Sequence, residues 1–169
     1  NDLEKFDSKI NKINSYHPIY DNFGKSITKQ QSITNLKLNG DYKHILFFGI
    51  IRKYKGLDLL IKAFSKLKHE KIRLIIAGEF YDNQDYYLDL IQSLELDDSI
   101  ILKNEFIPDN MVVNYFCSCD IVAQPYKSAT QSGVTQIAYH FEKPMLVTDV
   151  GGLAEIVKHG VSGLSLIHI

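Results

Sequence analysis

Between Asp41 and Lys158 the chain alternates short apolar runs with amphipathic stretches, and this alternation constrains the fold more than any other feature. The runs fall at 45–49, 72–77, 100–102, 121–123 and 145–148. The stretches 57–68, 84–94, 109–119 and 133–141 lie between them. In the first, Leu57, Leu60, Ile61 and Phe64 share one helical face; in the second, Tyr87, Leu90, Ile91 and Leu94 do. A last short helix is expected at 153–158. Short strands alternating with helices predict repeated βαβ units and a parallel sheet, which is an α/β fold. Ligands of such sheets bind beyond the carboxyl ends of the strands. The informative loops are therefore 49–56, 78–83, 103–108, 124–132 and 149–152.

The length of 169 residues is enough for one domain with a core. A net charge of -1 gives no reason to expect nucleic acid as a partner. No apolar run approaches the ~20 residues of a membrane span. Cys117 and Cys119 are too close together for a mutual disulfide or an ordinary zinc site, and are expected as reduced thiols lining the core. The histidines at 17, 44, 69, 140 and 159 show no metal spacing, so no metal is expected. Residues 1–40 are polar and are expected to be a connecting arm, with a short helix or none at 26–38. The end, 164–169, reads either as a short strand or as a truncated or non-native end, because LSLIHI also matches the translation of a common sequencing adapter.

The first loop carries Gly49, Arg52, Lys53, Lys55 and Gly56 between a strand and a helix. One reading is a diphosphate clamp, with Arg52 forking onto phosphate oxygens and Lys55 adding a point charge. The other is a solvated basic turn. Gly78-Glu79 is a tight turn or a place of close backbone approach. Phe106 and Ile107 either sandwich a flat base or simply pack in the core. The fourth loop is rich in small hydroxylated residues, Ser128, Thr130 and Ser132 among them, and enters a helix at Gly133. Its free N–H groups at Ser132, Gly133 and Val134 suit an anion. Alternatively, Ser132 merely caps the helix. Gly151-Gly152 permits close backbone approach, and Glu155 either joins a network or is solvated.

Taken in order, these segments resemble one family. FFGIIRKYKGLDLLIKAFSKL is similar to the donor-domain opening of family 4 retaining glycosyltransferases. LIIAGEF resembles that family's second strand, and KPMLVTDVGGLAEIVKHGVSGL its closing segment. The resemblance spans about residues 43–164. It implies a Rossmann-like domain at 41–163, the C-terminal, nucleotide-sugar-binding half of a GT-B fold. Residues 1–40 would then be the end of an N-terminal acceptor half and the interdomain linker.

By this resemblance Gly49, Arg52 and Lys55 hold the donor pyrophosphate, with Glu79 in the same donor site. Phe106 and Ile107 sit at the base. Thr130, Gln131, Ser132, Gly133 and Val134 meet the distal phosphate and sugar. The chain departs from the family at its two usual glutamates, whose positions here are Ala129 and Ile137. Gln136 and Gln131 are the candidate substitutes in ribose recognition. The implied donor is a UDP- or GDP-sugar and the implied acceptor a glycan or lipid-linked molecule. No cofactor or metal is implied. Catalytic side chains are expected on the acceptor half, so this chain alone should transfer little. The implied location is cytoplasmic, with membrane-face association through the other half. A sugar-nucleotide epimerase of the same fold and a non-catalytic scaffold are the alternative readings.

Overall fold

The computed structural model describes residues 18–67 and 70–166. Helices are α1 (Lys29–Asn35), α2 (Leu57–Phe64), α3 (Gln84–Ser93), α4 (Asp109–Ser118), α5 (Gly133–His140) and α6 (Gly152–Ile156). Strands are β1 (Lys43–Phe48), β2 (Ile72–Ala77), β3 (Ile100–Lys103), β4 (Ile121–Gln124), β5 (Met145–Thr148) and β6 (Gly163–Leu166). The expected runs at 72–77 and 145–148 match β2 and β5 residue for residue. Other boundaries move by one to four residues; α2, for instance, gives way after Phe64 to a 3-10 turn at Ser65–Leu67.

All strand pairs are parallel, in the order β3-β2-β1-β4-β5-β6. The alternation of side chains along β1 explains why both faces are covered. Leu46 and Phe48 point to the face that carries α4 and α5, where Phe116, Ile137 and Phe141 are buried. Phe47 points to the other face, beneath Leu57, Ile61 and Phe64 of α2 and Ile91 of α3.

Strand order reverses between β1 and β4. The chain leaves β1 towards α2 on one face and leaves β4 towards α5 on the other. A crevice therefore opens between the loops 49–56 and 125–132, the position where such sheets take ligands. Gly56 joins the two loops. It stands at φ 69°, and a Cβ there would lie 2.0 Å from the Pro125 carbonyl oxygen. The Lys127 N–H donates to the Tyr54 carbonyl at 2.7 Å, and Lys127 Nζ pairs with Asp58 at 2.9 Å. Gly56→Ala is expected to cost roughly 2–4 kcal/mol, from left-handed strain plus the collision with Pro125. Denaturant unfolding measures this; an unchanged midpoint would show that the two loops yield independently.

Both ends of the described residues pack on the domain. Residues 18–38 hold a short helix docked against it. Thr28 and Gln31 form a reciprocal capping box that starts α1. Ile33 is buried, Asn35 bonds Asn114 of α4 at 2.8 Å, and Lys29 pairs with Asp120 at 2.6 Å. The segment was hard to recognise because one buried isoleucine in a short helix leaves no periodic pattern. At the other end, residues 163–166 are a sheet strand, one of the two readings of that end, with Leu164 opposite Leu146 and Leu166 opposite Thr148. What was expected of residues 1–17 and 167–169 lies outside the described residues, as does His69. Cys117 and Cys119 are buried free thiols as expected, and burial pushes the Cys119 thiol up to about 12.

Candidate functional site

The site is built at the crevice from two loops and a helix start. Gly49, at φ 90°, turns the chain out of β1 and leaves an open space in place of a side chain. Two groups border that space. Lys55 Nζ is 3.4 Å and Val134 Cγ2 3.6 Å from where a Cβ would sit. Three predicted residues from two distant segments, Gly49, Lys55 and Val134, thus meet at one point.

Lys55 is 8% exposed. Its ammonium lies 5.7 Å from the centre of the Tyr126 ring. Among the described residues it has neither a carboxylate partner nor a hydrogen bond. Burial, and then the charge of Arg52, push its pKa down to about 8. Beside it, α5 begins with N–H groups at Ser132, Gly133 and Val134 that make no hydrogen bond among the described residues. A buried cation next to helix-start donors is an arrangement suited to an anion.

Ser132 does not cap α5, contrary to one expectation, and its hydroxyl is not offered to a ligand. It is buried and turned inwards. Gln124 Nε2 donates to Ser132 Oγ at 2.9 Å, and Tyr126 Oη stands 3.3 Å from the same atom. Thr135 Oγ1 donates to Gln124 Oε1 at 3.0 Å. Sequence reading missed Gln124, Tyr126 and Thr135. One available signal was a glutamine closing an otherwise apolar strand, IVAQ.

Arg52 is exposed, and its guanidinium stacks over Tyr81 at 5.3 Å. Phe106 is not packed in the core: it is 67% exposed, whereas Ile107 is buried. Both line a small cavity of about 90 Å³ with Phe48, Ile50, Gly78 and Glu79. Gly78, at φ 141°, is pressed against Gly49, since a Cβ would meet the Gly49 carbonyl oxygen at 2.3 Å. Gly151 and Gly152 admit loop backbone: added Cβ atoms would stand 1.7 Å from the Ala129 oxygen and 2.0 Å from the Thr130 oxygen. Thr130 and Gln131 are exposed on that loop, and Glu155 is exposed on α6. Gln136 is 4% exposed, and its side-chain amide makes no hydrogen bond among the described residues. Ile137, at the second glutamate position, is a core residue.

The family model for glycosyl transferases group 1 matches residues 28–167. The chain belongs to that family. Glycosyltransferase MJ1607 of Methanocaldococcus jannaschii is 33% identical over 131 residues, which are 77% of this chain and 33% of that protein. Sucrose-phosphate synthase from Thermosynechococcus elongatus superposes with a TM-score of 0.82 at 19% identity, covering 96% of this chain and 41% of that one. Anabaena HepE in complex with UDP-glucose superposes with a TM-score of 0.74 at 22% identity, covering 89% and 42%. The two superpositions show the Rossmann-like fold of a GT-B glycosyltransferase half. The chain spans about a third of the length of the curated relative it matches. The family's lysine-proline pair has a structural use here. Lys143 Nζ reaches the carbonyls of Cys117 and Cys119 at 3.4 and 3.2 Å and so caps the end of α4. No helix among the described residues is long and apolar enough to cross a membrane.

Proposed function

We propose that this chain is the donor-binding half of a glycosyltransferase that takes a UDP- or GDP-sugar. The observation that carries the reading is Lys55, a buried ammonium without a partner at the open start of α5. A diphosphate supplies the charge that both groups lack. The HepE complex with UDP-glucose, a protein of the same fold, supports this choice of ligand.

In this reading the diphosphate lies over Gly49 between Lys55 and the N–H groups of Gly133 and Val134. Arg52 leaves Tyr81 to reach an outer phosphate oxygen. The base lies at the Phe106–Ile107 cavity, and the sugar lies under the exposed loop at Thr130 and Gln131. Gln136 and Gln131 are the amides available to the ribose. When the glycosidic bond to the sugar breaks, negative charge grows on the departing diphosphate. Lys55 and the helix start are already oriented towards that charge, so they stabilise the transition state more than the ground state. The acceptor is a glycan or lipid-linked molecule, and the sugar keeps its anomeric configuration. The acceptor groups lie on chain outside this one. A cytoplasmic setting, in contact with a membrane face through that other chain, fits the two free thiols.

Calorimetry with UDP, GDP and their sugars tests the reading. Arg52→Ala is expected to lower diphosphate affinity by about tenfold or more, the worth of a charged hydrogen bond. Absence of binding by every nucleotide would end the donor reading. Interconversion of the free sugar nucleotide without transfer would favour an epimerase instead.

A further inference from the structure

A second cavity, of about 390 Å³, opens at the basic loop through Lys53 and shares no lining residue with the Lys55 site. Lys53 and Asp58 line one wall, and Asp82, Asn83, Tyr86 and Tyr87 the other. Nothing in the donor reading uses it.

Its chemistry is specific. Tyr87 is 2% exposed, held by Phe80 with ring centroids 5.3 Å apart and by Tyr86 at 5.2 Å. Its hydroxyl makes no hydrogen bond among the described residues, and Asp58 and Asp82 share the cavity lining with Tyr87. Burial, then those two charges, push the phenol up, so it remains a donor. Asp58 Oδ1 is buried without a hydrogen bond, although Lys127 Nζ is 2.9 Å away. Asn83 spends its carbonyl capping α3, accepting from the Asp85 N–H at 3.1 Å, which leaves its amide N–H₂ as a donor. Asp82 accepts the Lys53 backbone N–H. Tyr86 is 47% exposed and offers an open ring.

Asp58 is paired with the Lys127 ammonium, and Lys53 stands in the lining with Asp82, so with Lys127 the formal charges cancel. The cavity presents donors and acceptors beside one exposed aromatic ring. A charged ligand gains little there, and an apolar one would strand the buried polar atoms. A neutral pyranose fits: its hydroxyls pair with carboxylates, amide and phenol, and its C–H face lies on the ring. A more open hollow shares Lys53 and Asp82 with it and is lined also by Arg52, Tyr54 and Lys127.

We propose that this cavity is a carbohydrate subsite that holds a neutral hexopyranosyl unit of an oligosaccharide. It is independent of whether the Lys55 site binds a nucleotide.

Saturation-transfer NMR on the full chain tests this, with maltose, cellobiose, lactose, mannobiose and chitobiose as probes. At least one is expected to receive saturation, with UDP present or absent. Tyr86→Ala should weaken the effect roughly fivefold to tenfold, the worth of an aromatic contact. Tyr87→Phe, which changes only the hydroxyl, should weaken it too, and Lys55→Met should not. The proposal is overturned if no disaccharide responds, if the response survives both tyrosine substitutions, or if UDP displaces the sugar. The last result would place the sugar in the donor site. Failure of UDP to bind at all would count against the donor reading and leave this subsite standing.

Discussion

Lys55→Met is expected to make the unliganded protein more stable and its diphosphate site weaker, in one substitution. Methionine keeps the straight stem and most of the volume. It removes a buried charge that has no counter-ion. Holding that charge, with its pKa brought from 10.5 to about 8, corresponds to about 3 kcal/mol at neutral pH. Relaxation around the new side chain reduces the return, so a gain of about 1–3 kcal/mol is expected, and the melting temperature should rise by roughly 3–10 °C. Loss of a charged contact to the ligand should weaken UDP or GDP binding by about 1.5–3 kcal/mol. A residue kept for packing would show the opposite stability change. A less stable Lys55→Met protein with unaltered affinity would remove Lys55 from the site.

The same group gives the site a pH signature. Folded Lys55 releases its proton near pH 8, whereas the unfolded residue holds it to about 10.5. Between these values the unfolded chain binds more protons, so stability rises with pH across that window. Diphosphate affinity runs the other way. Only the ammonium attracts the anion, so affinity falls as pH rises through 8, and binding near that pH takes up a proton. Wild type minus Lys55→Met isolates both trends. Calorimetry in buffers of different ionisation enthalpy counts the proton.

The first loop was legible because its information is local. Strand, glycine, basic turn, glycine and helix all lie between Lys43 and Phe64, and the structure returns them in that order. The meeting of Lys55 with Val134 across Gly49 was legible at coarser grain, since a parallel sheet places loops after its strands at one edge. Side-chain direction was not. Ser132 sits where a cap belongs, yet Gln124 and Tyr126 draw it inwards from a strand and a loop that no local pattern connects to it. Arg52 lies on Tyr81, a partner contributed by the loop after β2. Helix α1 could be offered only as one of two options for residues 26–38, because its stability comes from α4 and Asp120 rather than from its own apolar face.

Gln124→Leu should show how far the phosphate-facing turn depends on that inward network. The amide is 1% exposed and serves both Ser132 and Thr135. Leucine fills a similar volume but leaves the Thr135 hydroxyl without its acceptor, while Ser132 keeps the Tyr126 hydroxyl. Stranding a buried hydroxyl costs about 1–3 kcal/mol, more than the bond itself contributes. Adding Thr135→Val removes the stranded group, so the double variant should recover a large share of the lost stability. Neighbours in one network are expected to be non-additive in this sense. UDP affinity should fall in Gln124→Leu under conditions where circular dichroism shows it folded, because Ser132 fixes the angle at which the Gly133 and Val134 N–H groups meet a phosphate. Purely additive stabilities, or a folded Gln124→Leu protein with wild-type UDP affinity, would show that α5 holds its first turn without Gln124.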